Sequence, residues 1–386
     1  MELEQLPLEP DWDKYPVDLW GFAGMDPNQI TVCRHEPAVR TRIGHRGIGK
    51  AGLCRLPGGD FLVSPCWGDA SGTIRMKLYR SSDEGSSWTL VQASGSPLLG
   101  KEPTLVCLHD GTLLLVTDHP HGFRISRSTD EGSTWTTATL GREHADEKPH
   151  WEPCLHSSRN ILQQADGSLT IFVTYPAALT GTECSELWLY GSEDQGRSWQ
   201  KLRQAQSWKR AANMFGEASI LPLVEGHLLA ASRLSGSPPL DGPLPGGPKP
   251  RGGEADEFMG LMESHDDGMT WTKPRAITNY AEVHTHLLRL RDGRILSTYA
   301  SYHMPYGVYA TVSEDGGRTF DLARPIQLAL SLNCYTGWPT SVELSGGDIL
   351  TVYATTAYLE GEGASLDRPG KGDGVAEAIR WRLPPS

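Results

Sequence analysis

A short pattern, Ser-x-Asp-x-Gly-x-Ser/Thr-Trp/Phe, recurs five times in this chain, and no other feature restricts its fold as strongly. The copies begin at Ser81, Ser128, Ser192, Ser264 and Ser313, and their aromatic ends are Trp88, Trp135, Trp199, Trp271 and Phe320. The chemistry of the unit is that of a turn. The Asp side chain accepts backbone N–H groups across a tight bend, and Gly takes a conformation that a side chain opposes. The aromatic ring then starts the next strand and packs beneath the turn. The pattern holds too few carboxylates for a calcium-binding EF-hand loop.

A second repeat interlocks with the first. Six stretches place apolar residues on both sides of a turn glycine: Gly59, Gly111, Gly167, Gly226, Gly293 and Gly347. Successive glycines lie 52, 56, 59, 67 and 54 residues apart. A strand, a short Gly turn and a second strand make a hairpin. Six hairpins, five of them followed by an Asp-box hairpin, give four strands per unit. The expectation is an all-β fold, a six-bladed β-propeller with Asp-box repeats, forming one domain over residues 1–386. The sixth unit lacks an Asp box, and the segment around Ile30 to Cys33 is expected to supply its missing strand and cover a free edge. A Pro/Gly-rich insertion at residues 235–257 reads as a loop, either a lid or a tolerated surface excursion.

The net charge is -12, from 35 Lys and Arg against 47 Asp and Glu, with no basic block. That balance argues against a nucleic-acid partner. Seven scattered cysteines form no CxxC pair, so neither a disulfide framework nor a structural zinc site is expected. The N-terminal residues are acidic and lack an apolar core, which points to a cytoplasmic protein unless a leader precedes them. No apolar run is long enough to span a membrane as a helix.

Function is sought where the first strand of each hairpin begins, because polar residues there converge. The segments are RIGHRGIGK, LGKEP, HWEP, FGEAS, VHTH and TGWP. They offer Glu102, Glu152 and Glu217 as neighbouring carboxylates, whose crowding would separate their protonation as acid/base work requires. His286 and Trp338 are candidate substrate contacts from the same set, and His303 lies just beyond. His284 and His286 alone fix no metal site, and no cofactor is implied.

Five Asp boxes among six hairpins resemble the sialidase (neuraminidase) superfamily, also called the BNR-repeat family, over roughly residues 40 to 383. The resemblance implies a glycoside hydrolase that releases an acidic or terminal sugar from a glycan. It implies that Glu217 is the glutamate that activates a tyrosine nucleophile, that Arg46 and Arg233 clamp a substrate carboxylate, and that Asp69 is an acid/base. Two positions depart from the family's pattern. His303 stands where an arginine is common, and Trp338 stands where the nucleophilic tyrosine belongs. A polysaccharide lyase directed at uronates, with a His or Tyr base, therefore stays open as an alternative. So does a non-catalytic carbohydrate-binding protein.

Overall fold

The computed structural model describes residues 39–44, 49–68, 74–119, 122–141, 156–176, 183–209, 212–214, 217–236, 238–246, 256–303, 305–331, 334, 336–356 and 374–383. Among these residues the regular structure is almost entirely β, and no helix is long and apolar enough to cross a membrane. The six hairpins form where the turn glycines place them. Ala51–Arg55 pairs antiparallel with Phe61–Gly68, and Lys101–Cys107 pairs with Leu113–His119. Glu282–Arg289 pairs with Ile295–Ser301, and Gly337–Glu343 pairs with Ile349–Thr356.

The expected six-bladed propeller is corrected by how these hairpins join. The described strands form five sheets, of four, five, five, nine and five strands. No sheet closes on itself or curls as a blade requires. The nine-stranded sheet runs from Ala212–Met214 to Ile326–Leu330, because Phe258 pairs in parallel with Glu282 and ties the fourth hairpin unit to the fifth. A hairpin count reads local pairing, which the turn sequence fixes. It does not read where one sheet stops and the next begins.

The first strand among the described residues is Val39–Ile43, antiparallel to Gly374–Trp381, whereas Ile30 to Cys33 lies outside the described residues. All five Asp boxes make the same bonds. In the first, the Ser81 hydroxyl donates to Asp83 at 2.8 Å and accepts the Gly85 N–H at 2.8 Å. Asp83 also accepts the Ser87 N–H and hydroxyl at 2.9 and 2.6 Å. Gly85 has φ near +86°, and a Cβ there would lie 2.5 Å from the Leu350 side chain. The box glycine is thus needed both for the turn and for close packing on a neighbouring sheet.

Apolar clusters lie between successive sheets. Leu62 and Leu78 pack with Leu105, Leu113 and Trp135, and Leu53 and Phe61 pack with Leu350 and Val352. Burying a leucine such as Leu62 or Leu113 contributes roughly 1.5–3 kcal/mol. Part of the 235–257 insertion is pinned to this body: Asp241 N–H donates to the Pro274 carbonyl, and Tyr280 N–H to that of Gly246, at 2.8 and 2.9 Å.

Candidate functional site

Four strand-start residues share a backbone feature that side chains rarely tolerate. Glu102, Glu217, His284 and Trp338 have φ of 55°, 46°, 62° and 49°. Each stands nine residues before its hairpin glycine, at Gly111, Gly226, Gly293 and Gly347. At three of them the strand register slips beside the residue: between Lys101 and Thr104, Val283 and His286, and Gly337 and Thr340. A bulge re-aims a side chain, and a left-handed non-glycine residue costs about 1–3 kcal/mol unless its surroundings hold it. Gly337 makes the bend before Trp338 possible, since a Cβ there would lie 2.4 Å from the Ala300 side chain.

The re-aimed side chains meet in two connected groups. In the first, the Arg233 guanidinium bonds to Glu217 at 3.0 Å through Nη1 and to Glu257 at 2.7 Å through Nε. A second bond runs from Nη2 to Glu257. Glu257 belongs to the end of the 235–257 insertion, so that segment supplies a buried partner to the site. His284 lies beside Glu217, with Nδ1 3.2 Å from the carboxylate but not aligned for a hydrogen bond to it. Its Nε2 is 2.7 Å from the Tyr302 hydroxyl, and Arg233 Nη1 is farther, at 3.4 Å. Burial pushes Glu217 upward, but the His284 imidazole when protonated and the permanently charged Arg233 guanidinium more than offset it and hold the carboxyl below its ordinary range. Burial pushes His284 well below its own ordinary value, so the imidazole is neutral at pH 7. The fixed positive charge at Glu217 is therefore Arg233.

The second group surrounds Glu102. The Lys50 ammonium lies 2.7 Å from Glu102 and 3.5 Å from the centre of the Trp338 ring. His156 Nδ1 lies 2.8 Å from Asp118 and 3.5 Å from Glu102. Asp118 also accepts the Ser157 N–H at 3.1 Å. Burial raises Glu102, and Lys50 and His156 bring it well below the ordinary carboxylate range. Asp118, with burial dominant over His156, is raised. Glu102, Asp118 and His156 bring possible metal-ligand atoms within 4.8 Å of one another. The Lys50 ammonium already occupies the Glu102 carboxylate, which disfavours a second cation there.

Between the groups lies a small pocket of about 10 Å³, lined by Lys50, Glu102, Ser157, Arg159, Glu217 and Trp338 among others. Arg159 is half-buried, and its loss of solvent lowers it to about 10 against the pull of Glu217 and Glu102. Its Nη2 is held by the Pro339 carbonyl at 3.0 Å and the Thr340 hydroxyl at 3.2 Å.

The family model for the BNR repeat-like domain matches residues 123–357. The chain belongs to the BNR repeat-like family. The search of curated proteins gives no match. Among solved structures, a protein of unknown function from Dyadobacter fermentans is similar at 20% identity and a TM-score of 0.65, over 91% of this chain and 99% of that one. The Hadza microbial sialidase Hz136 is similar at 16% identity and 0.58, over 88% and 66%. The GH93 α-L-arabinofuranosidase of Fusarium graminearum is similar at 14% identity and 0.59, over 89% and 96%. These likenesses are of fold, and they make this BNR repeat-like chain structurally kin to several carbohydrate-active hydrolases.

Of the residues singled out from sequence, the BNR repeat-like fold brings Glu102, Glu217, Arg233 and Trp338 into one neighbourhood. Arg46, Asp69 and Glu152 lie outside the described residues. Trp338 is buried, with Lys50 over its ring and His284 at 4.1 Å between ring centres, so it is a wall of the pocket more than a free stacking face. His286 is buried and accepts the Ser341 N–H at 3.3 Å through Nδ1. His284 and His286 therefore bond to different partners and do not converge on a metal position. His303 turns to Glu282 at 3.2 Å, one residue beyond Tyr302. Sequence reasoning missed Lys50, Asp118, His156, Arg159, Glu257 and Tyr302 as site residues. Lys50 alone carried a signal, since it too stands nine residues before its hairpin glycine, Gly59.

Proposed function

We propose that this protein is a glycoside hydrolase that releases a terminal sugar, with acidic sugars favoured, and that Tyr302 is its nucleophile. The observation that carries this reading is the chain of contacts from the Tyr302 hydroxyl to His284 Nε2 and from His284 Nδ1 to Glu217. A nucleophile within reach of a base, with a carboxylate close beside that base, is an arrangement that can activate a hydroxyl. At pH 7 the neutral imidazole has a nitrogen open to the phenolic proton; burial weakens it as a base, and Glu217 counters this by stabilising the imidazolium that results. Tyr302 would thus take the nucleophilic role that the sequence pattern leaves open at Trp338. Lys50 and Arg159 line the pocket together with Glu102 and Glu217, so the preference for an acidic sugar rests on the family resemblance and not on a net positive charge there.

In the proposed reaction the Tyr302 oxygen bonds to the anomeric carbon as the glycosidic C–O bond breaks. The phenolic proton passes to His284. The leaving oxygen takes a proton from His156, which Asp118 orients. Water then attacks the anomeric carbon, gives its proton to His156, and the tyrosine recovers its own from His284. Catalysis of each proton transfer contributes about 10²–10⁴-fold.

The test is a screen of sialosides, uronic-acid oligosaccharides and arabinan fragments in water enriched in oxygen-18, read by mass spectrometry. A hydrolase yields a free sugar carrying the label. The same Tyr302–His284 pair could also abstract a proton beside a carboxylate, which favours a uronate lyase as the second reading. A lyase gives an unsaturated, ultraviolet-absorbing product with no label. Binding without any product from the three classes overturns both enzymatic readings and leaves a carbohydrate-binding protein.

A further inference from the structure

At the other end of the fourth hairpin, two histidines and a glutamate converge outside the site described above. His227 follows the turn at Gly226 and opens the strand His227–Gly236. His265 lies inside the fourth Asp box, between Ser264 and Asp266. The Asp267 N–H donates to the Gly226 carbonyl at 3.1 Å, which fastens the two turns side by side. Arg233 is six residues farther along the His227 strand, about 20 Å away at the rise of an extended chain.

We infer that His227, Glu263 and His265 form a binding site for a divalent transition-metal ion of the zinc type. Nε2 of His227 lies 3.3 Å from Oε2 of Glu263, and Nε2 of His265 lies 3.7 Å from the same oxygen. All three ligand atoms fall within 4.8 Å of one another. A four-coordinate zinc ion holds N and O ligands at about 2.0–2.2 Å, which sets neighbouring ligand atoms roughly 3.3–3.6 Å apart. The cluster therefore already has nearly the spacing of a tetrahedral face, and small rotations of His265 complete it. That side chain is 67% exposed and is free to make them. The two imidazole rings lie side by side, 4.3 Å between centres and inclined by 31°.

The glutamate is held from behind, as the carboxylate of a metal site needs to be. Arg275 Nη1 bonds to the other oxygen, Oε1, at 2.6 Å. Arg275 is itself anchored by the carbonyls of Arg318 and Gly317. This leaves Oε2 facing the two imidazoles. Two imidazoles and one carboxylate are a donor set that zinc accepts, with a fourth position open to water. Bound there, the ion would cross-link the hairpin turn to the Asp-box turn and stabilise the folded chain by mass action.

The test uses the full chain. Zinc chloride is titrated in by calorimetry, and thermal unfolding is followed with and without the metal. One class of site is expected, together with a rise in Tm on adding zinc. Both His265→Ala and Glu263→Gln should weaken binding at least about tenfold and abolish the zinc-dependent rise in Tm. His265 is mostly exposed, so its variant should retain the fold, checked by an unchanged Tm without metal. Zinc binding of equal strength in wild type and His265→Ala would place the ion elsewhere, on a cysteine for example, and overturn the inference. So would the absence of saturable binding. Neither result touches the glycosidase reading, which rests on residues at the opposite end of the hairpin.

Discussion

The Asp boxes and the strand starts are both repeats, but they repeat different things. Each Asp box keeps its side chains and its bonds: Ser to Asp, Gly N–H to Ser, and Ser or Thr to Asp, at nearly the same distances five times over. The strand starts keep their backbone and change their side chains. A left-handed residue nine positions before the hairpin glycine is Glu102 in one unit, Glu217 in another, then His284 and Trp338. A repeat that conserves chemistry is a building element. A repeat that conserves only geometry presents different groups to a common point, as a binding site requires.

The contrast is tested most strongly at the strand starts. Tyr302→Phe and Glu217→Gln should each reduce turnover of the cognate glycan by about 10²–10⁴-fold. Turnover that survives both changes at wild-type rate would remove the relay from the mechanism. Arg233→Ala should be costly to stability as well. It leaves Glu217 and Glu257 buried without their shared cation, a loss of about 3–5 kcal/mol. Urea unfolding of this variant with an unchanged midpoint would show that the carboxylates find other partners.

Much of this contrast was legible in the residues themselves. The turn glycines and Asp boxes are local signals, and the structure places hairpins and box turns where they stand. Glu217 and Arg233 were readable because they lie sixteen residues apart on paired strands of one hairpin, and they meet at 3.0 Å. What was not legible depends on packing between segments. Asp118 reaches His156 from a different sheet, and Glu257 arrives from the end of the insertion. The division into sheets also escaped, since the single parallel pair between Phe258 and Glu282 has no turn signal. The placing of Glu152 beside Glu102 and Glu217 rested on a rough alignment. The position nine residues before Gly167 is Ser158, not Glu152.

Acid should act on the strand-start region at a pH where the Asp boxes are unaffected. Burial holds His286 down to about 3, whereas the same residue in an unfolded chain titrates near 6.5. Above about pH 6.5 both states are neutral there and no stability is lost. As pH falls from there towards 3, the unfolded chain takes up a proton that the folded chain refuses. Stability then declines by up to about 1.4 kcal/mol per pH unit, or about 2 kcal/mol by pH 5. His284, also pushed down by burial, acts in the same direction. The Asp-box carboxylates have lowered values, Asp194 and Asp315 to about 2, so they stay ionised over this range. Denaturant midpoints between pH 7 and 5 should therefore fall in wild type and fall less in His286→Asn, which keeps an acceptor for the Ser341 N–H. Equal slopes would mean that His286 takes up its proton in the folded chain.

The smallest effects should come from the Asp boxes, and there the most conspicuous residue is not the most important. Asp315 accepts the Thr319 N–H at 2.9 Å, the Thr319 hydroxyl at 2.6 Å and the Ser313 hydroxyl at 2.8 Å. It sits near the surface, however, and water can replace it at those donors. Asp315→Ala should cost no more than about 1 kcal/mol. Ser313 makes fewer bonds but is buried, and its hydroxyl accepts the buried Gly317 N–H at 2.8 Å. Ser313→Ala strands that N–H away from water, at about 1–3 kcal/mol. The serine variant should therefore unfold at lower denaturant than the aspartate variant, and neither should alter turnover of the glycan. The reverse order of stability would mean that the exposed carboxylate, not the buried hydroxyl, holds the turn together. A change in turnover would mean that the two repeats are not separable after all.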